Sequence, residues 1–168
     1  NTQPWKFTVV TGKALERLSR ASIKKFESGE SPHPEVPVPS HTGIYRERQV
    51  ALAIQLFQAL GIAREDREKR NEWQKKGIRF FDAPAAIIIS IDKSLTSTSW
   101  LALLDIGLLC QTIALAALNY GLGTCIEDQG VFYPEAVRET TGIPESQKII
   151  ISLAIGYPDW DFPANKIE

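Results

Sequence analysis

The feature of the sequence that most constrains the fold is an apolar stretch, residues 100–118, which is long enough to cross a membrane as a helix. The polar residues in or next to this stretch fall within an arc of roughly 120° when a helix turns by about 100° per residue. They are Asp105, Gln111, Thr112 and Asn119. A helix that is apolar nearly all round, with one narrow polar stripe, is typical of the core of a protein or of a dimer. We therefore predict a long buried central helix at a dimer interface, ended at Gly121.

Composition places the chain among single globular domains. Its 168 residues and hydrophobic content of 43% are enough for one substantial core. The formal net charge of −1 leaves no basic excess that would favour binding to nucleic acid. Cys110 and Cys125 lack the spacing of metal ligands, so we expect two reduced thiols in a cytoplasmic protein. Because the sequence opens on Asn1 just before a predicted strand, we expect residues 1–168 to be one domain that is incomplete at both ends.

Helical and extended patterns alternate along the rest of the chain. β-branched or aromatic runs predict strands at residues 6–11, 85–91, 124–127 and 148–155. Helices are predicted at residues 13–27, 45–60, 64–80 and 134–141, and the four prolines within residues 28–40 indicate a long loop. There are too few strands for a doubly wound sheet, so the pattern favours an α+β fold, in which a sheet is flanked by helices.

Most of the familiar catalytic signals are missing from the sequence. It contains no G-x-S-x-G, no P-loop and no G-x-G-x-x-G. His33 and His41 are interpreted as exposed loop histidines, and we see no metal-binding pattern. Glu127 and Asp128 are adjacent in a predicted strand and would point to opposite faces, so we interpret them as surface carboxylates rather than an acid–base pair. A bound cofactor is therefore the natural carrier of any chemistry.

Five short segments, in chain order, resemble those of the flavin-dependent nitroreductase family. They are Asn1-Thr2-Gln3-Pro4-Trp5 before a strand, Phe81-Asp82-Ala83-Pro84 before an apolar strand, the central helix through Gln111 and Ala116-Ala117 into Gly121-Leu122-Gly123-Thr124, the helix 134–141 followed by Gly142-Ile143-Pro144, and the strand ending in Gly156-Tyr157-Pro158. The resemblance covers the whole chain. Residues 45–48 and 61–70 are most similar to the nitroaromatic-reducing branch.

The resemblance implies a nitroreductase-like fold with a mixed, mostly antiparallel sheet, and a homodimer that holds two FMN molecules at the subunit interface. Asn1 and Gln3 match positions that lie against the flavin. Ile126, Glu127 and Asp128 match a segment that runs along the flavin ring and offers backbone N–H groups to it, which would stabilise the charge of the reduced ring. The family's Arg-Arg-Ser-type phosphate anchor and its C-terminal arm, which wraps the partner subunit, have no match in residues 1–168.

The implied function is that of an FMN-dependent oxidoreductase. It would pass electrons from NAD(P)H to nitroaromatic or quinone-like acceptors by a ping-pong mechanism, with Tyr45, Arg46 and Arg48 as candidate substrate contacts near a lid formed by the proline-rich loop and residues 45–70. Two alternatives stay open. One is a non-catalytic or cofactor-free flavin-binding core of the same fold, and the other is a structural α+β dimerisation module.

Overall fold

A four-stranded sheet forms the centre of the computed structural model, which describes residues 2–96 and 100–167. The strands are β1 (Trp5–Thr11), β2 (Ala85–Asp92), β3 (Gly123–Glu127) and β4 (Gln147–Gly156). Their order across the sheet is β1-β2-β4-β3, and every pairing among the described residues is antiparallel. The α+β class is confirmed, and each predicted strand lies within two residues of its observed bounds.

Helices cover both faces of the sheet. Successive side chains of β2 point to opposite faces, and because both sets are apolar, each face forms its own apolar cluster with helices. Ala86 and Ile88 point into the cluster shared with α1 (Gly12–Glu27) and α6 (Pro134–Thr141), whereas Ile89 and Ile91 point into the cluster shared with α5 (Leu101–Leu118). The helices are α1 (Gly12–Glu27), α2 (Gly43–Ala59), α3 (Arg67–Ile78), α4 (Lys93–Thr96), α5 (Leu101–Leu118) and α6 (Pro134–Thr141).

Helix α5 is the predicted central helix, but a single chain buries only one side of it. Ala102, Ile106, Cys110 and Ala117 are buried, and the first three of these pack against the sheet. The opposite side is apolar and exposed, with Leu108 61% accessible. Its other exposed members are Leu101, Leu103, Leu104, Leu115 and Leu118. The expectation of a buried helix is therefore met on one face only, and the exposed leucines have no cover within one chain.

By length and composition alone, the same helix also meets the requirements for a membrane span. Only 22% of its 18-residue window is buried inside the chain. One such helix is weak evidence for a membrane, since the core helices of soluble proteins pass the same test. Here the helix packs along the sheet through Ala102, Ile106 and Cys110, and Asp105 and Gln111 interrupt its apolar surface.

The first part of the proline-rich loop is fixed to the body of the protein rather than free to act as a lid. Glu35 accepts two hydrogen bonds from the Arg138 guanidinium of α6, at 2.7 and 2.9 Å, and a third from the backbone N–H of Ile149 in β4. His33 donates its backbone N–H to the carbonyl of Phe132. Val36 packs against the apolar cluster beneath α5. This anchoring corrects the expectation of a lid for the first part of the loop.

The predicted third helix ends two residues earlier than expected, at Ile78, because a left-handed turn follows it. Phe80, Phe81 and Asp82 have φ values of 56°, 54° and 61°, in a region that residues other than glycine rarely adopt. Such residues each cost on the order of 1–3 kcal/mol unless their surroundings hold them there. The fully buried ring of Phe80 and the 2.9 Å contact from Arg79 Nε to Asp82 Oδ1 hold this turn in place.

The part-buried Glu35–Arg138 ion pair yields a test of how firmly the loop is held. Their side chains are 19% and 11% exposed, so removing the cation leaves a nearly buried carboxylate without its partner. We expect Arg138→Met to lower the free energy of unfolding by about 3 kcal/mol in urea denaturation.

Lys93→Met is the matched control, because it breaks an exposed ion pair with Glu145 and should cost less than about 1 kcal/mol. Equal costs for Arg138→Met and Lys93→Met would contradict the anchoring role of the pair.

Candidate functional site

The predicted flavin-contacting segment lies at the end of an edge strand. Ile126 and Glu127 are the last two residues of β3, and Asp128 follows them directly. Within the described part of the chain, β3 pairs only with β4, so one edge of its backbone is free of strand partners. A free strand edge presents unpaired N–H and C=O groups. The predicted segment therefore lies at the end of an edge strand that has no second strand partner among the described residues.

Gln3, another predicted cofactor contact, lies near the opposite edge of the sheet. Gln3 precedes β1, the outer strand furthest from β3, and has the unusual φ of 46°. At about 4.8 Å per strand spacing, β1 and β3 are roughly 14 Å apart across the sheet. Asn1 lies outside the described residues. The structure thus brings Ile126, Glu127 and Asp128 together, and it does not place Gln3 beside them within the plane of the sheet.

Glu127 is a buried carboxyl group, which corrects its interpretation as a surface carboxylate. The residue is 7% exposed, and its side chain lies on the sheet face that packs against α1 and α6. Oε2 accepts the backbone N–H of Gly130 at 2.7 Å, and Oε1 lies 2.7 Å from the hydroxyl of Ser152. Burial raises the pKa of Glu127 to about 7, although its hydrogen bonds to Ser152 and Gly130 oppose the shift.

The turn after β3 is closely packed around this carboxyl group. Gly130 belongs to a short 3-10 turn, Gln129–Val131, and a Cβ atom there would collide with the Phe80 ring and with Glu127 Oε1. Only glycine fits at this position. The left-handed turn at residues 80–82 therefore supports the end of β3, because it directs the Phe80 ring against Gly130. The sequence did not predict this arrangement. The one local sign of it in the sequence is Gly130, two residues after the acidic pair Glu127 and Asp128.

The predicted substrate contacts lie on a helix that extends from the body of the chain. Tyr45, Arg46 and Arg48 are in the first turns of α2 and are exposed, with Tyr45 66% accessible. No residue of α2 is buried, and the helix packs mainly against the 3-10 turn Pro163–Lys166. The Arg46 guanidinium donates to Gln49 within the same helix. One chain alone therefore does not direct these three side chains at the end of β3.

A histidine–carboxylate cluster joins the proline-rich loop to α6. His33 Nε2 lies 3.0 Å from Glu135 Oε2, and Lys25 Nζ contacts Glu135 at 2.6 Å and Glu30 at 3.0 Å. His33 is an exposed loop histidine, as predicted, and when protonated it forms an ion pair with Glu135. Although Glu30, His33 and Glu135 are close enough to share a cation, Lys25 already neutralises both carboxylates. The arrangement is that of a surface ion-pair network.

A cavity of about 460 Å³ lies at the far end of β3, near Gly123 rather than Glu127. The Trp73 and Phe162 rings line it and stack with centroids 6.2 Å apart and planes 9° apart. Cys125 also lines it, and burial raises the pKa of this thiol to about 11, so it is not a reactive thiolate at neutral pH. Both cysteines are free, as expected. This cavity is separate from the predicted flavin-contacting segment.

Comparison with known proteins gives the class to which this fold and site belong. The nitroreductase family model matches residues 1–157, and the chain belongs to that family. The family recognition and the nitroreductase-like fold are therefore confirmed.

Individual relatives agree over nearly the whole chain. The nitrobenzene nitroreductase of Ectopseudomonas oleovorans is 33% identical over 171 residues, which span 99% of this chain and 74% of the relative. The chloronitrobenzene nitroreductase of Comamonas testosteroni is 31% identical over the same shares of both chains. Among solved structures, the FMN-dependent nitroreductase NfnB from Mycobacterium smegmatis in complex with NADPH superposes with a TM-score of 0.89 at 27% identity, covering 99% of this chain and 74% of that one.

The buried Glu127 predicts a specific pH dependence of stability. Its pKa is raised from 4.5 to about 7 in the folded chain, so the native state binds the proton more tightly than the unfolded state. The resulting stability is fully present below pH 4.5 and is lost as the pH rises to about 7. Relative to Glu127→Gln, which cannot ionise, the wild-type chain should lose about 3 kcal/mol of unfolding free energy over this interval.

Chemical denaturation of both proteins at pH 4.5, 6 and 7.5 measures this difference. Glu16→Gln, on the exposed side of α1, controls for the loss of one carboxylate. A difference between wild type and Glu127→Gln that does not change with pH would contradict the buried, proton-binding state of Glu127.

Proposed function

We propose that this protein is an FMN-dependent, NAD(P)H-consuming nitroreductase that works as a homodimer. The family match over residues 1–157 and the relatives named for nitroaromatic reduction support the enzyme class. The solved relative that is described as FMN-dependent and carries NADPH supports the cofactor and the electron donor. The observation in the chain itself that carries the proposal is the free backbone edge of β3 at Ile126, Glu127 and Asp128.

The strand edge at Ile126–Asp128, which has no second strand partner among the described residues, supports placing the ring portion of FMN there. FMN supplies a redox centre that accepts hydride from the nicotinamide and passes electrons to the acceptor. The protein's part is to bind and orient the ring, and backbone N–H groups near Ile126–Asp128 would stabilise negative charge on it without a catalytic side chain. Asn1 and Gln3 stay proposed ring contacts through the resemblance alone, since Gln3 precedes the strand at the opposite edge of the sheet from β3. Lys166 is paired with Asp161 at 3.6 Å, so it is not a free phosphate donor in this arrangement.

A second copy of the chain is the proposed cover for α5. Six exposed leucines lie along this one helix, whereas isolated exposed apolar residues are what an ordinary monomer surface carries. Helix α2, which has no buried residue in one chain, would pack in the same dimer and bring Tyr45, Arg46 and Arg48 to the partner's flavin. The site would then be complete only in the dimer.

Within this proposal, the nicotinamide and the acceptor use the same exposed face of the flavin in turn. This ping-pong order requires no second nucleotide-binding motif, which agrees with the absence of one from the sequence. Nitroaromatic compounds are the proposed acceptors, with quinones as further acceptors of the same shape. Placement in the cytoplasm is part of the proposal and rests on the two free thiols.

Flavin loading tests the cofactor and the activity together. We expect the purified protein, mixed with FMN and desalted, to keep a flavin absorption band that bleaches on addition of NADPH and returns on addition of nitrobenzene. A protein that keeps no flavin would contradict the proposal, and one whose flavin is not bleached by NADPH or NADH would indicate a non-catalytic flavin-binding core.

The dimer is tested by placing a charge on the exposed side of α5. Leu108→Glu should yield a monomer in sedimentation velocity and lose FMN, because a carboxylate cannot be buried unpaired in an apolar interface. Val38→Glu alters a similarly exposed apolar residue outside α5 and should leave both properties unchanged. A folded monomeric Leu108→Glu variant that binds FMN as tightly as wild type would contradict a site at the interface.

A further inference from the structure

An ionised Glu127 side chain and the backbone carbonyl of the same residue compete for the single proton of the Ser152 hydroxyl. Ser152 Oγ lies 2.7 Å from Glu127 Oε1 and 2.9 Å from the backbone carbonyl oxygen of Glu127. Both are acceptors when Glu127 is ionised, but a serine hydroxyl carries a single proton and can donate to only one of them. The other acceptor then loses this donor in a site that is almost fully buried.

A neutral Glu127 removes this conflict. Its Oε1–H donates to Ser152 Oγ, and the Ser152 hydroxyl is then free to donate to the backbone carbonyl of Glu127. The backbone N–H of Gly130 continues to donate to Oε2 at 2.7 Å. The result is a closed ring of hydrogen bonds that ties the side chain of residue 127, its own backbone, strand β4 and the turn after β3 together.

These hydrogen bonds connect β4 and the turn after β3 to the backbone segment that we place against the flavin. Glu127 lies within that segment, between Ile126 and Asp128, and Ser152 is its directly paired residue in β4. Gly130 fixes the point at which the chain turns away from the sheet, and no residue with a Cβ atom fits there. The outer edge of β3 has no neighbouring strand among the described residues. The hydrogen bonds of Glu127 with Ser152 and Gly130 therefore hold this strand where a second strand partner is missing.

We propose that Glu127, when protonated, and Ser152 are positioning residues, which hold the Ile126–Asp128 backbone in the geometry that binds the flavin ring. Their side chains act from the buried face of the sheet and do not touch the cofactor. This inference rests on the proposed function, since it assigns a role toward FMN, and it goes beyond it by assigning that role to two buried side chains.

Three variants separate the hydrogen-bond ring from general stability. Glu127→Gln keeps the ring, because its amide N–H₂ donates to Ser152 and its amide oxygen accepts from Gly130. Glu127→Leu and Ser152→Ala remove it. Val137→Ala is the control, since Val137 is fully buried in the apolar cluster under the same sheet face and its truncation destabilises the fold without altering β3.

FMN affinity is measured by quenching of flavin fluorescence, and order in the segment by hydrogen–deuterium exchange of residues 123–131 without FMN. We expect Glu127→Leu and Ser152→Ala to raise the Kd for FMN about tenfold and to speed exchange in this segment, as loss of one or two buried hydrogen bonds would. Glu127→Gln should stay within about threefold of wild type. Val137→Ala should lower the unfolding temperature and leave the Kd unchanged.

The outcomes distinguish the two levels of the proposal. If wild type binds FMN and Ser152→Ala binds it equally well, the positioning role is overturned and the proposed function stands. If Val137→Ala weakens FMN binding as much as Ser152→Ala, the effect is one of general stability and the positioning role is again overturned. If wild type binds no FMN, the proposed function falls, and the role of the pair toward the cofactor falls with it.

Discussion

An apolar helix that one chain can cover on only one side is the constraint on which the rest of this structure depends. Helix α5 packs on the sheet through Ala102, Ile106 and Cys110, and leaves a row of leucines exposed on its other side. Apolar surface of this extent is costly in water, at roughly 25 cal/mol per Å². We infer that a second copy of the chain covers it, and this requirement places the most consequential surface of the protein on the α5 side of the sheet.

The sheet connects that surface to the proposed flavin site. Ile126 is paired with Leu153, whose side chain belongs to the cluster beneath α5, while Glu127 is paired with Ser152 on the opposite face. Two adjacent residues of one strand thus serve different purposes: Ile126 is partly exposed on the side of the proposed interface, and Glu127 is buried and holds the strand in place. In the proposed enzyme, the flavin carries out the chemistry, whereas the side chains of Glu127 and Ser152 hold the strand in position.

Patterns along the sequence predicted the elements of this fold because each depends on local periodicity. All four strands, the helix 134–141 and the extent of α5 followed from alternating or helical spacing of apolar residues. The alternation of a strand also predicts that Glu127 and Asp128 face opposite sides, but it does not tell which side is covered, and so the burial of Glu127 was missed.

Contacts between residues that are far apart in the chain also could not be predicted from the sequence. Glu35 and Arg138 are 103 residues apart, and nothing near either residue indicates the other. The left-handed turn at Phe80, Phe81 and Asp82 contains no glycine, so the usual signal for positive φ is absent. The family resemblance predicts a flavin contact at Ile126–Asp128, which stays a prediction. The structure places this segment at the end of an edge strand and shows that the Glu127 side chain contacts Ser152 and Gly130.

The most direct test of this account is a map of backbone amide shifts in the NMR spectrum of the isotope-labelled protein as FMN is added. We predict that the largest shifts fall on Ile126, Glu127 and Asp128, with further shifts along the exposed side of α5. Shifts confined to the cavity lined by Trp73 and Phe162, near Gly123 at the other end of β3, would contradict the central claim that the Ile126–Asp128 end of this strand is the flavin site.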